Sequence, residues 1–363
     1  MTGGPAGRRI ERLLGELEPA GVDCLLISGA ANLRYLTGFT GSNGLAVVGE
    51  RRRLFVTDFR YVEQAAGEVE ASYEQAQAPG ELLRRLAELL SQAAPMRMGF
   101  DDADLTVRER ARLRKLLSGE IELVEAGGLV ERLRQVKEPR EVELIAAAAR
   151  LADEAFEAVV SRGVVGRTER ELALDLEMAM RSRGAERAAF PSIIAAGAHG
   201  ALPHAEPRDV AVQAGELLVV DWGAVVDGYC SDCTRTLATG ELDGEAREVY
   251  ELVAEAQLAG LEAVRARARV VDVDAAVRQV IVTAGYGEQF GHGLGHGVGL
   301  ETHEGPSLST RSQDVLEAGN VVTVEPGVYL PGRFGVRIED LVVVREDGCE
   351  VLTGQGKGLR VVS

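Results

Sequence analysis

All five histidines of the chain, His199, His204, His292, His296 and His303, fall in one stretch of its second half. Among and beyond them stand four well-spaced acids, Asp221, Asp232, Glu325 and Glu339. Three of these end or interrupt apolar, strand-like runs. Asp221 closes Leu217 to Val220, Glu325 closes Val321 to Val324, and Glu339 separates Val336-Arg337-Ile338 from Leu341 to Val344. A carboxylate carried into an apolar interior is costly unless it is paired or metal-bound. A chain written this way has to fold so that its acids gather around positive charge. Imidazole with carboxylate is the set by which proteins hold divalent first-row metals. One isolated histidine is usually a satisfied core or surface residue, but five confined to a Gly-rich, strand-like stretch read as a metal site.

The spacing of the first two acids is informative. Asp227-Gly228 between apolar strands is a strong signal for a two-residue hairpin turn. With that turn Asp221 lies opposite Thr234, and Asp232 becomes its diagonal neighbour on the same sheet face. Both carboxylates then reach one ion or a close pair of ions. Pro326-Gly327 turns the chain directly after Glu325 and holds that carboxylate at a strand edge. In Gly291-His292-Gly293-Leu294-Gly295-His296-Gly297-Val298-Gly299 the alternate glycines let backbone pack closely around imidazoles on one side. This is no phosphate loop, because neither GxGxxG nor GxxxxGK[ST] occurs between a strand and a helix. An HExxH helix and a GxSxG elbow are absent as well.

With 363 residues, two domains are the default expectation. Short apolar runs at Cys24 to Ile27, Leu45 to Val48 and Leu54 to Val56 predict strands. Leucines at three- and four-residue steps over Ile10 to Leu17, Glu81 to Leu90 and Val107 to Leu117 predict helices, giving a first α/β domain that ends with a strand near Glu120 to Val124. Gly127-Gly128 then marks the hand-over, so the domains are expected at 1–128 and 129–363. Pro139 opens a helix to about Ser161, and Thr168-x-x-Glu171 forms a capping box for a second helix that Gly184 stops. Strands follow from Val210, then helices over Glu245 to Ala268 and Val273 to Ala284, then strands again. The repeated order, a helix pair followed by a strand pair with two acids, suggests an internal duplication.

Composition narrows the partners. A formal net charge of -17 argues against nucleic acid or an anionic membrane surface. No run is long enough to span a bilayer, and Met1 to Ile10 has no apolar core followed by a cleavage site. Four cysteines are too sparse for a disulfide scaffold and suit a reducing compartment, so a cytoplasmic protein is expected. Cys230 and Cys233 stand alone as a CxxC, and strand alternation points their thiols to opposite faces, against a redox or zinc role.

Taken together, the segments resemble the Xaa-Pro peptidase family, which comprises aminopeptidase P and prolidase and is related to methionine aminopeptidase and creatinase. The carriers are the DxG segment at Asp221, D-x-T-R-T at Asp232, HxxGH ending in His296, VEPG at Glu325 and RIED at Glu339. The first domain shares the likeness through Asn32-Leu33-Arg34-Tyr35-Leu36-Thr37-Gly38 and Asp58-Phe59-Arg60-Tyr61-Val62-Glu63-Gln64. The implied fold is a creatinase-like α/β amino-terminal domain followed by an α+β pita-bread catalytic domain with an internal pseudo-duplication.

That resemblance implies two divalent ions held by Asp221, Asp232, His296, Glu325 and Glu339, with Asp232 and Glu339 bridging. Asp221 completes one ion, and His296 with Glu325 completes the other. Oxygen-rich ligation favours Mn²⁺, with Co²⁺ or Zn²⁺ as alternatives. The implied activity is metallo-exopeptidase cleavage between an amino-terminal residue and proline by a hydroxide bridging the ions, on a proline-containing peptide or dipeptide. Glu325 would accept the proton of that water, His204 would contact the scissile nitrogen or leaving group, and His303 the tetrahedral oxyanion. His292 and Arg337 match further site positions, in support of the ligands or in the substrate pocket. Tyr229 and Thr234 bracket Asp232, where they either hydrogen-bond ligands or serve only hairpin packing, and His199 takes no catalytic role, with an exposed loop as its expected setting. A homodimer through the first domain is implied. Two alternatives share the fold: a peptide- or protein-binding member without catalysis, and a metal-free, creatinase-like C–N hydrolase.

Overall fold

The computed structural model describes residues 5–363. Met1 to Gly4, the outset of the segment read above for a leader, lie outside the described residues. The chain divides into two compact units, the first ending at Arg134 and the second running Gln135–Ser363.

Unit 1 is built on one six-stranded sheet. Its strands are β1 (Cys24–Ile27), β2 (Gly44–Gly49), β3 (Arg53–Asp58), β4 (Glu74–Ala78), β5 (Met96–Phe100) and β6 (Ile121–Glu125), in the order β4-β3-β2-β1-β5-β6. Around them lie α1 (Pro5–Leu17), α2 (Ala30–Thr37), α3 (Val62–Glu68), α4 (Leu82–Leu89), α5 (Val107–Leu116) and α6 (Leu129–Gln135). The periodic leucines do what their spacing requires: Ile10, Leu13 and Leu17 of α1 are buried, as are Leu83 and Leu86 of α4. Thr106 caps α5 through a reciprocal pair with Glu109. Unit 1 takes in nearly all of α6, which is tied back to α2. Tyr35 donates its hydroxyl to the Leu133 carbonyl at 3.2 Å, and Arg134 Nη1 donates to Asn32 Oδ1 at 2.8 Å.

Unit 2 opens with two helices, α7 (Pro139–Val160) and α8 (Glu169–Ser182). Pro139 stands in the first turn of α7, and the Thr168–Glu171 capping box starts α8. Next come β7 (Arg187–Ala188), β8 (Ile193–Ala196), β9 (Leu217–Trp222), β10 (Ala224–Val226), β11 (Tyr229–Cys230) and β12 (Cys233–Ala238). Antiparallel β12-β9-β8 form one sheet, and β11-β10-β7 a smaller one. A second helix pair follows, α9 (Gly244–Ala263) and α10 (Val270–Thr283), and then β13 (Gly295–Gly297), β14 (Glu304–Leu308), β15 (Val321–Val324), β16 (Gly327–Leu330), β17 (Phe334–Arg337), β18 (Asp340–Arg345) and β19 (Gly348–Val351). The order β14-β13-β15-β18-β19 makes a five-stranded sheet, and β16 pairs with β17 alone. Each helix pair thus precedes its own sheet, the arrangement expected of a duplicated pita-bread fold.

Each sheet packs one face on its helices. Leu218, Val220 and Trp222 of β9, with Cys233 and Leu237 of β12, share a core with Phe156, Leu176 and Met180 of α7 and α8. The Trp222 indole stacks on Phe156 at 4.2 Å between centroids and donates to the Ala152 carbonyl at 3.0 Å. In the second half Val322, Val324, Val342 and Val344 pack with Val249, Val253, Val273 and Val277. Side chains alternate along a strand. Asp221, Asp232, Glu325 and Glu339 occupy the other parity and so face away from both helix pairs.

The hairpin that joins Asp221 to Asp232 depends on Gly223. A Cβ there would sit 2.0 Å from the Ser231 carbonyl oxygen and 2.9 Å from the Phe190 ring. Gly223→Ala is therefore expected to cost about 1–3 kcal/mol through overpacking, read as a lower urea midpoint at unchanged slope. An unaltered midpoint would show that the hairpin accommodates the methyl group.

Candidate metal centre

The turn at Asp227-Gly228 has positive φ at both residues, 46° and 74°, as the two-residue hairpin demands. It sets the register through β9 and β12, so that Asp221 pairs across from Thr234 and Cys233 from Trp222. Asp221 is also opposite Ile193 of β8, which places it on a central strand. Asp232 lies one residue before β12. Glu325 follows β15 and donates its backbone N–H to the Leu294 carbonyl at 2.9 Å, while Glu339, between β17 and β18, donates its own to the Thr234 carbonyl at 3.1 Å. That last bond brings the second half's acid onto the first half's strand.

All five expected ligands line one cavity of about 520 Å³. One atom from each of Asp232, His296 and Glu339 lies within 4.8 Å of the others. His296 Nε2 stands 3.6 Å from Asp232 Oδ2 and 3.4 Å from Glu325 Oε1. Its Nδ1 donates to the Gly297 carbonyl at 3.1 Å, which leaves the Nε2 lone pair for a cation. Among the described residues a second acidic group occurs in unit 1, at Asp101, Asp104 and Glu131, but it lacks an imidazole.

Electrostatics explains why this centre wants cations. Burial first, then the neighbouring acids, push Asp232 and Glu339 well above the ordinary carboxylate range, and burial raises Glu325 to about 6. Burial lowers His292, His296 and His303, favouring neutral imidazoles. Arg337 is the only lysine or arginine among the cavity's lining residues. One guanidinium cannot balance four carboxylates. The Asp221 Oδ1 atom, buried and without a hydrogen-bond partner, is the position such a donor set leaves open for an ion. The residues fit a divalent metal.

Around the acids runs a network that orients them. Arg337 Nη2 donates to Asp221 Oδ2 at 2.7 Å and Nε to Thr234 Oγ1 at 3.1 Å, and Thr234 Oγ1 donates to Glu339 Oε2 at 2.6 Å. Nη1 of Arg337 reaches the Tyr329 hydroxyl at 2.9 Å. His292 Nδ1 donates to the Gly293 carbonyl at 2.8 Å, so its Nε2 accepts from Tyr329 at 3.1 Å. Thr323 Oγ1 donates to Glu325 Oε1 at 3.2 Å and accepts from the His296 N–H at 3.0 Å. His204 and His303 line the same cavity, and the rings of His303 and His296 are 4.1 Å apart.

One position differs from the sequence reading. His199 does not sit in an exposed loop: its ring is 8% exposed on a 3₁₀ turn and bonds the fully buried Glu169 at 2.9 Å, an anchor shared with Arg208. Tyr229 is held by Glu141 at 2.8 Å and is absent from the cavity lining, as hairpin packing would have it. Tyr329 was missed altogether. Gly327 pairs with Arg337 and Tyr329 with Gly335, so Tyr329 is diagonal to Arg337 on one face. Pro331-Gly332 between them is a hairpin signal that could have shown this. Arg235 and Asp340 were missed as well. They form a buried ion pair at 2.7 Å that ties β12 of the first half to β18 of the second.

Residues 143–346 match the model of Metallopeptidase family M24, and residues 9–136 match that of the Creatinase/Prolidase N-terminal domain. The peptidase YqhT of Bacillus subtilis (strain 168) is 40% identical to the chain, over 98% of this chain and 99% of that protein. Among solved structures, an Xaa-Pro dipeptidase from Bacillus anthracis superposes with a TM-score of 0.94 at 39% identity, covering 98% of this chain and 99% of its own. An X-Pro aminopeptidase from Thermotoga maritima MSB8 gives 0.88 at 37% identity, covering 98% and 100%.

Proposed function

Because the chain belongs to metallopeptidase family M24 and carries the creatinase/prolidase N-terminal domain, we propose that it is an exopeptidase cleaving the bond between an amino-terminal residue and proline. That it is a metallopeptidase follows from the family. The Xaa-Pro specificity is our reading, supported by the relatives' activities. The observation that carries it is the convergence of four carboxylates and one imidazole on a cavity where Asp221 Oδ1 has no protein partner.

Asp221, Asp232, His296, Glu325 and Glu339 would hold two divalent ions, Mn²⁺ being the choice that oxygen-rich ligation favours. Such ions supply a water of lowered pKa and polarise the scissile carbonyl. The chain's own residues do the rest. Glu325 accepts the proton of the attacking water at a carboxylate oxygen and returns it to the proline nitrogen as the C–N bond breaks. His303 donates to the carbonyl oxygen as negative charge develops there. His204 hydrogen-bonds on the leaving-group side. Arg337 holds Asp221 in place, and His292, through Tyr329, holds Arg337. Four unpaired cysteines, three of them buried, support a reducing, cytoplasmic setting.

A panel of Xaa-Pro, Xaa-Pro-Xaa and Xaa-Ala-Xaa peptides, with metal content measured alongside, tests this. Turnover of the proline peptides with about two Mn²⁺ per chain is the expected result. No turnover of any of them, with less than one ion per chain and no recovery on adding Mn²⁺, would leave a peptide-binding protein on this fold.

A further inference from the structure

One acid in the cavity wall has no part in the centre described above. Glu206 lines the cavity, is exposed, and among the described residues pairs with no cation. It is two residues from His204, on a short segment bracketed by Pro203 and Pro207 and pinned by the buried Ala205, whose N–H donates to the Leu202 carbonyl at 3.2 Å. Two prolines with their fixed φ make this segment stiff, so Glu206 is held in a set relation to His204.

No cation balances it. Arg337, the cavity's lone lysine or arginine among the lining residues, is committed to Asp221 at 2.7 Å, Tyr329 at 2.9 Å, Thr234 at 3.1 Å and the Pro203 carbonyl at 3.3 Å. A free dipeptide bound with its proline nitrogen at His204 would bring its carboxylate to this side, where it would meet Glu206 and, among the lining residues, no uncommitted lysine or arginine. A longer peptide would present a neutral amide there instead. If the next side chain is cationic, it gains an acid to face.

We propose that Glu206 is a specificity-determining residue. It selects peptides that continue past the proline, with preference for a positively charged residue immediately after it, and discriminates against free Xaa-Pro dipeptides. This rests on the Xaa-Pro reading and on His204 lying on the leaving-group side. Rim charges act modestly, and attraction and repulsion add when substrates of opposite charge are compared, giving roughly a tenfold ratio at low salt that shrinks as salt screens it.

The test uses the full-length, Mn²⁺-loaded protein and kcat/KM for Ala-Pro-Lys-amide, Ala-Pro-Glu-amide, Ala-Pro-Ala-amide and Ala-Pro. For the parent protein a Lys-over-Glu ratio of roughly ten is expected, with Ala-Pro-Ala-amide cleaved faster than Ala-Pro. In Glu206→Gln the ratio falls toward one, and in Glu206→Lys it inverts while Ala-Pro gains relative to Ala-Pro-Ala-amide. A ratio that stays the same in all three proteins overturns the assignment, as does a parent protein that prefers Ala-Pro. If no variant cleaves any of these peptides, the Xaa-Pro reading fails first and the role of Glu206 falls with it.

Discussion

Glu325→Ala should lower kcat/KM on an Xaa-Pro-Xaa peptide by at least about 10³-fold while leaving the fold intact. The loss combines two roles, since the carboxylate is both a proposed ligand and the proposed proton acceptor, and general-base catalysis alone contributes about 10²–10⁴. Packing gives no reason for collapse. Glu325 follows β15, its side chain is 17% exposed, and its protein contacts are Thr323 Oγ1 at 3.2 Å and His296 Nε2 at 3.4 Å. Removing it also relieves the cost of holding a charge out of water, because burial holds its carboxyl at about 6, above the ordinary value of 4.5. In chelator, the variant should therefore match or exceed the parent's Tm at pH 7. Activity within tenfold of the parent would remove Glu325 from the mechanism. A Tm well below the chelated parent would make it a structural residue instead.

What made the centre legible was strand alternation combined with one turn. Asp227-Gly228 sets the register, and the register puts Asp221 across from Thr234 with Asp232 on the diagonal. The same parity argument covers Glu325 and Glu339, since the valines on either side of them face α9 and α10. Long helices were readable too: Pro139 and the Thr168 capping box give α7 and α8 their starts because they satisfy or avoid free backbone amides locally. Each of these is a local rule with a local cause.

The rest depends on partners far away in the chain. Glu74 to Ala78 has no β-branched or aromatic residue, yet it forms β4, an edge strand whose ladder is supplied by β3 alone. Met96 to Phe100 becomes β5 because it lies between β6, the next strand in the chain, and β1, some 70 residues earlier. His199 resembled the other four histidines by neighbourhood, and only Glu169, 30 residues away, reveals its anchoring role. Arg235 and Asp340 stand inside the D-x-T-R-T and RIED segments, but only the fold shows that they pair with each other, 105 residues apart.

Stripping the protein with a chelator should abolish peptidase activity and lower Tm by an amount that depends on pH. In the metal-free fold Asp232, Glu325 and Glu339 all titrate above their ordinary values. A group whose folded value is raised contributes stability that is complete below its unfolded pKa and is lost as pH climbs through the folded one. The metal-free protein therefore weakens from about pH 4.5 upward through 6, as Glu325 and then its neighbours are forced to ionise against one another. Cations need those acids ionised, so the bound form gains over the same interval. With Mn²⁺ at 100 times its Kd the stabilisation is about 2.7 kcal/mol, which for a unit of this size is a rise in Tm of at least about 5 °C. Thermal melts with Mn²⁺ and with chelator, from pH 4.5 to 8, should show two curves that coincide at the acid end and diverge above pH 6. A constant gap across that range, or one that widens toward acid, would mean that these carboxylates are not what the cations bind.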